Sequence, residues 1–196
     1  RDLGAVIRDE KKPEKDCYQL TDIGRTMSRY PLDPRVSRMI IEAKKEGCEK
    51  EIAVIAAALS VQDPRERPYD KINLAAAAHA QFVHPESDFL TYLKIWNRYS
   101  DSLEKIESQS KWRKFCRDHF LSYRRMREWR DIYHQILEIT DSADTKPKQR
   151  KPAKIEFDQA ISDRIHRCLL AGYLSNIAKK KEKNFYTATK SREVML

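Results

Sequence analysis

Apolar residues return at helical spacing in one stretch after another, and that repetition restricts the fold more than any other feature of the sequence. Val36, Met39, Ile40 and Ala43 stand at i, i+3, i+4 and i+7, and Ile52, Ile55, Ala56 and Leu59 repeat the spacing. Phe89, Tyr92, Leu93 and Trp96 form a third stripe, and Trp112, Phe115, Cys116 and His119 a fourth. Met126, Trp129, Tyr133 and Ile136 form a fifth. Each stripe predicts a helix with one face to bury, and short connections between such helices predict a helical bundle. With only 4 Gly and 8 Pro, the chain lacks the turn residues of an all-β sandwich. The fold class is therefore mainly α with small β pieces.

The breaks between stripes carry their own signals. Thr21 caps a short helix running to about Tyr30. In Pro31-Leu32-Asp33-Pro34, Asp33 suits the N-cap and Pro34 the first helical position, and the helix that follows stops at Gly47. Two prolines and two arginines make Gln62–Pro68 a loop, a helix follows from about Ile72 to Phe82, and Ser87 caps the next. Residues 141–154 hold two prolines and five basic residues and read as a solvated loop. A last helix carries Ile161, Ile165, Cys168 and Leu169 to Gly172. Beyond the run Lys179–Lys183, read as a solvated connection, Phe185–Thr189 and Val194–Leu196 resemble two short strands. At the other end, Leu3-Gly4-Ala5 reads as the end of a helix with Gly4 as a left-handed cap, and residues 6–20 as a hairpin or wing. The chain opens without Met and reads as a segment of a longer protein.

The sequence offers no on-chain chemistry. It contains no Gly-x-x-x-x-Gly-Lys-Ser/Thr loop, no acidic strand end suited to magnesium, and no Ser/His/Asp grouping; Asp63, Glu86 and Asp88 are isolated carboxylates. Cys17, Cys48, Cys116 and Cys168 have neither zinc spacing nor a disulfide framework, and the last three fall within or beside apolar stripes as buried thiols. His84 and His119 have no metal partners in sequence and read as structural. No catalytic residue, cofactor or metal site is expected in the segment. No apolar run approaches the roughly 18–20 residues of a spanning helix; Ile52 to Leu59, the richest stretch, fits a buried soluble helix. A reducing cytoplasm is the expected setting.

The formal charge of +9 points to a polyanionic partner. Residues 111 to 134 hold eight Lys or Arg against three acids, and Arg124 and Arg127 lie off the Met126/Trp129/Tyr133 stripe. They either present a ridge to a phosphate backbone or pair within the helix as Arg124–Glu128 and Arg127–Asp131. In the loop Ser60–Pro68, the groups Ser60, Gln62, Arg65 and Arg67 suit hydrogen bonds to phosphates and sugars. The plainer reading is a connector whose Arg65 or Arg67 pairs with Asp63 or Glu66. Trp96, Trp112, Trp129, Phe89 and Phe115 sit at helical spacing on apolar faces, so they are assigned to the core rather than to base stacking.

Five segments, in order, resemble the C-terminal accessory region of DEAH-box/RHA-type RNA helicases, of the bacterial HrpA type. Leu20-Thr21-Asp22-Ile23-Gly24-Arg25 through Tyr30-Pro31-Leu32-Asp33-Pro34-Arg35 resembles the element ending the family's winged helix. Ala58-Leu59-Ser60-Val61-Gln62-Asp63-Pro64 with Arg67-Pro68 resembles the first ratchet helix and its loop. Ser87-Asp88-Phe89-Leu90-Thr91-Tyr92-Leu93 is similar to the family's S/G-D-[HF]-L-T-x-L signature, and Phe120-Leu121-Ser122-Tyr123-Arg124 to the start of a later ratchet helix. Leu170-Ala171-Gly172-Tyr173 and Asn176-Ile177-Ala178 resemble the helix that feeds an OB-fold. Phe at position 89, and Asp63-Pro64-Arg65-Glu66 where eukaryotic relatives have an aliphatic or aromatic run, favour the bacterial type.

The resemblance implies the C-terminal part of a winged helix at 1–47, a helical-bundle ratchet domain at 48–178 with a basic loop at 141–154, and the first strands of an incomplete OB-fold at 179–196. It also implies RecA-like motor domains in the intact protein that bind ATP and Mg²⁺, and a channel closed over single-stranded RNA. DNA is a second acceptable strand, and a regulatory protein a further partner. In such relatives the loop after the ratchet helix touches nucleic acid, which favours Ser60, Gln62 and Arg67, and more modestly Arg124. The different-class alternative is a helical protein-interaction module without nucleic-acid contact.

Overall fold

One threonine starts the first helix and ties it to what precedes it. Thr21 Oγ1 accepts a hydrogen bond from the Gly24 amide at 3.0 Å and donates to the Gly4 carbonyl at 2.6 Å. The Thr21 amide donates to the Ala5 carbonyl at 3.0 Å. In a computed structural model of the chain, which describes residues 3–9, 17–30, 32–105, 108–140, 155, 158–189 and 192–195, this contact links strands β1 (Val6–Arg8) and β2 (Tyr18–Leu20) to helix α1 (Asp22–Met27). The strands pair antiparallel with Ile7 opposite Gln19, as the two arms of the expected hairpin would, and residues 10–16 of that expectation lie outside the described residues. A Cβ on Gly24 would meet the Ala5 carbonyl oxygen at 2.0 Å, so only glycine lets α1 lie this close to the chain before β1.

The described residues fall into two compact units, residues 1–49 with 163–196 and residues 50–162. In the first, Asp33 caps α2 (Pro34–Glu46) by accepting from the Arg35 amide at 2.8 Å, with Pro34 in the first turn and Gly47 left-handed at φ 67°. Helix α8 (Gln159–Tyr173) begins in the second unit and ends in the first. There its Gly172 lies so close to α2 that a Cβ would meet the Arg35 carbonyl and the Met39 side chain at 2.6 Å. Cys48 and Cys168 face each other in the same packing with their sulfurs 3.6 Å apart, both buried and reduced. Arg167 bonds Glu46 at 2.7 Å on the exposed side.

After a 3-10 turn (Leu174–Asn176), strands β3 (Ala178–Glu182), β4 (Phe185–Ala188) and β5 (Arg192–Met195) form an antiparallel sheet in sequence order. Within Lys179–Lys183, expected to be a solvated connection, Lys179 to Glu182 instead belong to the first strand of this sheet. The strand has no apolar alternation because all its residues are exposed, so backbone pairing alone defines it. Gly4 takes the left-handed conformation at φ 69° as expected. The helix expected before it, Pro31, the loop 141–154 and the end of the last strand at Leu196 lie outside the described residues.

The second unit is helical. Helix α3 (Glu49–Leu59) shows the stripe Ile52, Ile55 and Ala56 buried but also buries Ala53, Val54, Ala57 and Ala58, so it is the buried helix that its apolar run Ile52–Leu59 suggested. Its four alanines, Ala53, Ala56, Ala57 and Ala58, leave room for neighbours on every side. After a 3-10 turn (Tyr69–Lys71) come α4 (Ile72–Ala80), α5 (Asp88–Lys105), α6 (Gln109–Asp118) and α7 (Tyr123–Thr140). Trp129 on α7 is fully buried and donates from Nε1 to the Val54 carbonyl of α3 at 2.9 Å. Trp96 of α5 stacks beside it at 5.3 Å and beside Tyr133 at 4.6 Å. Tyr99 and Trp112 extend the aromatic tier at 4.4 Å. Asn97 fixes residue 155 as a strand neighbour does, donating to the Ile155 carbonyl at 2.6 Å and accepting from its amide at 2.7 Å. All four cysteines are buried, and burial pushes the Cys116 thiol up to about 12.

The approach of α1 to Ala5 has a measurable consequence. Gly24→Ala sets a methyl against a backbone carbonyl that cannot turn away, so it should destabilise the chain by about 2–3 kcal/mol in chemical denaturation, the upper end for overpacking.

Candidate nucleic-acid interface

The loop at residues 60–68 takes its shape from the turn between α6 and α7. The Ser122 amide donates to the Pro64 carbonyl at 2.7 Å, and the Glu66 amide to the Phe120 carbonyl at 2.8 Å. Arg65 and Leu121 face each other between those bonds as an isolated antiparallel bridge. His79 of α4 lies with Nε2 3.0 Å from the same Phe120 carbonyl, so that nitrogen carries the proton and donates. Phe120 has φ 51°, a left-handed conformation that costs a bulky residue roughly 1–2 kcal/mol. Two donors on its one carbonyl hold it there.

Inside the loop, the Asp63 carboxylate accepts from the Arg65 amide at 2.9 Å and grips its guanidinium at 2.6 to 3.1 Å. The guanidinium lies 5.6 Å from the Tyr92 ring centre, and Arg125 donates to the Asp63 carbonyl at 2.9 Å. Burial alone raises the pKa of Asp63, but its hydrogen bonds and charge pairing with Arg65 outweigh that, and the carboxyl sits below its ordinary range.

The six residues singled out in the sequence therefore have different placements. Arg65 is turned inward: its side chain is 13% exposed and committed to Asp63. The connector reading thus describes this one residue. Ser60 donates to the Ala56 carbonyl at 2.8 Å at the end of α3. Gln62 and Arg67 are exposed and make no side-chain hydrogen bond with a described residue. Arg124 and Arg127 are exposed on α7 while Met126, Trp129, Tyr133 and Ile136 are buried, as the stripe predicts. Neither intrahelical pair forms among the described residues; Asp131 bonds its neighbour Arg130 at 2.8 Å instead of Arg127. The bonds from Ser122 and Arg125 set the loop against the first turn of α7, which brings Gln62, Arg67 and Arg124 onto neighbouring segments.

Arg125, Tyr92, His79 and Phe120 were not recognised as parts of this arrangement. The one available signal was the offset of Arg125 from the Arg124/Arg127 row, which turns it to a different side of the helix. Of the aromatics assigned to the core, Trp96, Trp129 and Phe115 are buried, while Phe89 and Trp112 are partly exposed. His119 packs on Phe115 at 4.3 Å and lies within 2.9 Å of its carbonyl. Among the described residues no group of three or more His, Cys, Asp or Glu is arranged to hold a metal ion, and no helix is long and apolar enough to cross a membrane.

Sequence comparisons give the family to which this helical unit belongs. Residues 33–92 match the family model described as helicase associated domain (HA2), ratchet-like. The chain is 40% identical over 191 residues, 97% of its length, to the ATP-dependent RNA helicase HrpA of Escherichia coli (strain K12). It is 40% identical over 173 residues, 88% of its length, to the HrpA homolog of Haemophilus influenzae. It is 32% identical over 166 residues, 82% of its length, to the pre-mRNA-splicing factor ATP-dependent RNA helicase prp22 of Schizosaccharomyces pombe. The chain spans only 14%, 13% and 12% of these relatives. It belongs to the helicase-associated region of the DEAH-box RNA helicases, in the HrpA type.

The Asp63–Arg65 pair gives a pH-dependent prediction. A carboxyl whose folded value lies below its ordinary value of 3.8 stabilises the fold fully above that pH. That contribution fades as the pH drops through the lower folded value. Asp63→Asn should therefore flatten the loss of thermal stability in acid. At neutral pH, Arg65→Ala should cost about 1–2 kcal/mol, less than a fully buried pair because Asp63 is 40% exposed.

Proposed function

We propose that this chain forms one wall of the single-strand channel of an ATP-dependent RNA helicase, with the loop at 60–68 as its main contact on the strand. The observation that carries the reading is the fixed backbone of that loop, held by the bonds at Pro64 and Glu66, with Gln62 and Arg67 left exposed. Donors held in place suit phosphate and sugar contacts, which position a strand without reading its bases. Ser60 adds a hydroxyl at the end of α3, and Arg124 and Arg127 continue the positive surface along α7. Arg65 contributes in this reading by shaping the loop through Asp63.

Residues 1–47 are then the end of a winged helix whose wing is the β1–β2 hairpin. Residues 48–178 are the ratchet, and residues 179–196 begin an OB-fold with the β3–β5 sheet. RecA-like motor domains elsewhere in the intact cytoplasmic protein bind ATP and Mg²⁺ and perform the hydrolysis, while this segment, inactive alone, grips the strand. Single-stranded DNA satisfies the same phosphate contacts. A second reading, a helical protein-interaction module docking a regulatory partner, draws on the exposed Tyr69, Ile72, Leu74 and Val83 around α4.

Salt separates the two. Binding of the chain to single-stranded RNA should weaken with a log–log slope of about −0.7 per neutralised phosphate. Arg67→Ala should lower affinity about tenfold and make the slope shallower by about 0.7. Absence of binding at low salt would overturn the channel reading and leave the interaction module.

A further inference from the structure

The end of α5 and the helices α6 and α7 enclose an open cleft of about 190 Å³. Tyr99, Trp112 and Met126 line its apolar part, and Gln109, Tyr123 and two guanidinium groups, Arg127 and Arg130, complete it. We propose that this cleft is a binding site for one nucleotide unit, its base stacked against Trp112 and its phosphate held by Arg127. The proposal rests on the RNA reading above but concerns a place separate from the loop at 60–68.

Size is the first argument. An apolar cavity of about 150 Å³ accommodates one benzene ring, so this cleft matches a single planar ring system. The aromatic surface is the second. Trp96 and Trp129 are both 0% exposed, whereas Trp112 keeps part of its indole at the surface. Tyr99 supports that indole from the core at 4.4 Å, which fixes a stacking platform rather than a mobile ring. Arg113 lies 5.4 Å over the Tyr123 ring and adds positive charge beside the opening.

Charge is the third argument, and it is asymmetric. Arg130 is held by Asp131 at 2.8 Å, while Arg127 forms no ion pair with a described residue and remains available to an anion. The Gln109 amide supplies both donors and an acceptor, the complement of a base edge. An aromatic platform, an amide and an available guanidinium together fit a base bearing a phosphate. A bare phosphate would leave the indole and the amide's acceptor unused. The nucleotide unit is either part of a strand or free, and both share this chemistry.

With the other two tryptophans fully buried, Trp112 is a built-in probe. A short single-stranded RNA, labelled so that anisotropy reports saturation, should quench the indole emission of the chain. The same strand with abasic positions should bind yet quench little. Trp112→Leu should weaken RNA binding roughly five- to 150-fold, the range for losing one stacked base, and Arg127→Gln should reduce both quenching and affinity. RNA that saturates the chain without changing its emission, or an abasic strand that quenches equally, overturns the cleft and leaves the loop reading intact. If no RNA binds at low salt, the channel reading fails and adenosine monophosphate alone decides. Saturable quenching lost in Arg127→Gln then supports a site for a free nucleotide, and its absence overturns the site. The emission measurements on the unsubstituted chain decide the matter even where Trp112→Leu fails to fold.

Discussion

The carbonyl of Phe120 is the point on which the arrangement around the loop depends. It accepts from the Glu66 amide and from the His79 ring, and so joins the loop after α3, the helix α4 and the turn into α7. The left-handed backbone at Phe120 sends the chain sharply from α6 into α7, and the two donors keep it there. Without that anchor, the loop at 60–68 would lose the Glu66 bond that ties its second half to the turn and keep the bonds at Pro64 and Asp63. Loops gain binding precision from rigid supports, and here the support is a hydrogen-bonded turn rather than the helix from which the loop emerges.

The turn is steady because the core beside it is dense. Helix α3 is buried along most of its length, and the Trp129 indole reaches its backbone through a hydrogen bond. Trp96, Tyr133, Tyr99 and Trp112 continue from that indole as a row of tilted rings. Such rings fill volume with few rotatable bonds, so they fix the spacing of α5, α6 and α7. Stripes that look alike in sequence thus do two jobs: most of their rings are core, while Trp112 at the end of the row reaches the surface.

Periodicity and caps carried the helices because both are local. The stripes fixed which residues of α2 and α7 face inward, whereas on α5 the buried face is turned toward Leu90, Ile95 and Tyr99 and leaves Phe89 and Tyr92 partly exposed. Thr21, Asp33 and Gly47 marked helix ends by chemistry that acts within a few residues. What local pattern does not contain is pairing across the sequence. Nothing near Asn97 announces its bonds to residue 155, and nothing near Phe120 announces Glu66 or His79. The strand at Lys179–Lys181 was missed for the same reason, since its only structural signal is a partner strand. Within the loop, the inward turn of Arg65 was one of two alternatives compatible with the sequence. Packing against Tyr92 and the Asp63 carboxylate selects it. Arg124 and Arg127 were readable as surface residues because the stripe beside them was unambiguous.

The first compact unit draws on residues 1–49 and on residues 163–196, with the second unit encoded between them. Gly172 against Arg35, Arg167 against Glu46 and Cys168 against Cys48 are all contacts spanning more than 120 positions or close to it. During synthesis, the part of α2 that α8 covers must therefore wait until the whole intervening helical unit has been translated, although α1 packs on α2 from the start. The ribosome thus imposes an order: the unit at 50–162 has the opportunity to fold first, and its completion shortens the effective loop that α8 must close to reach α2.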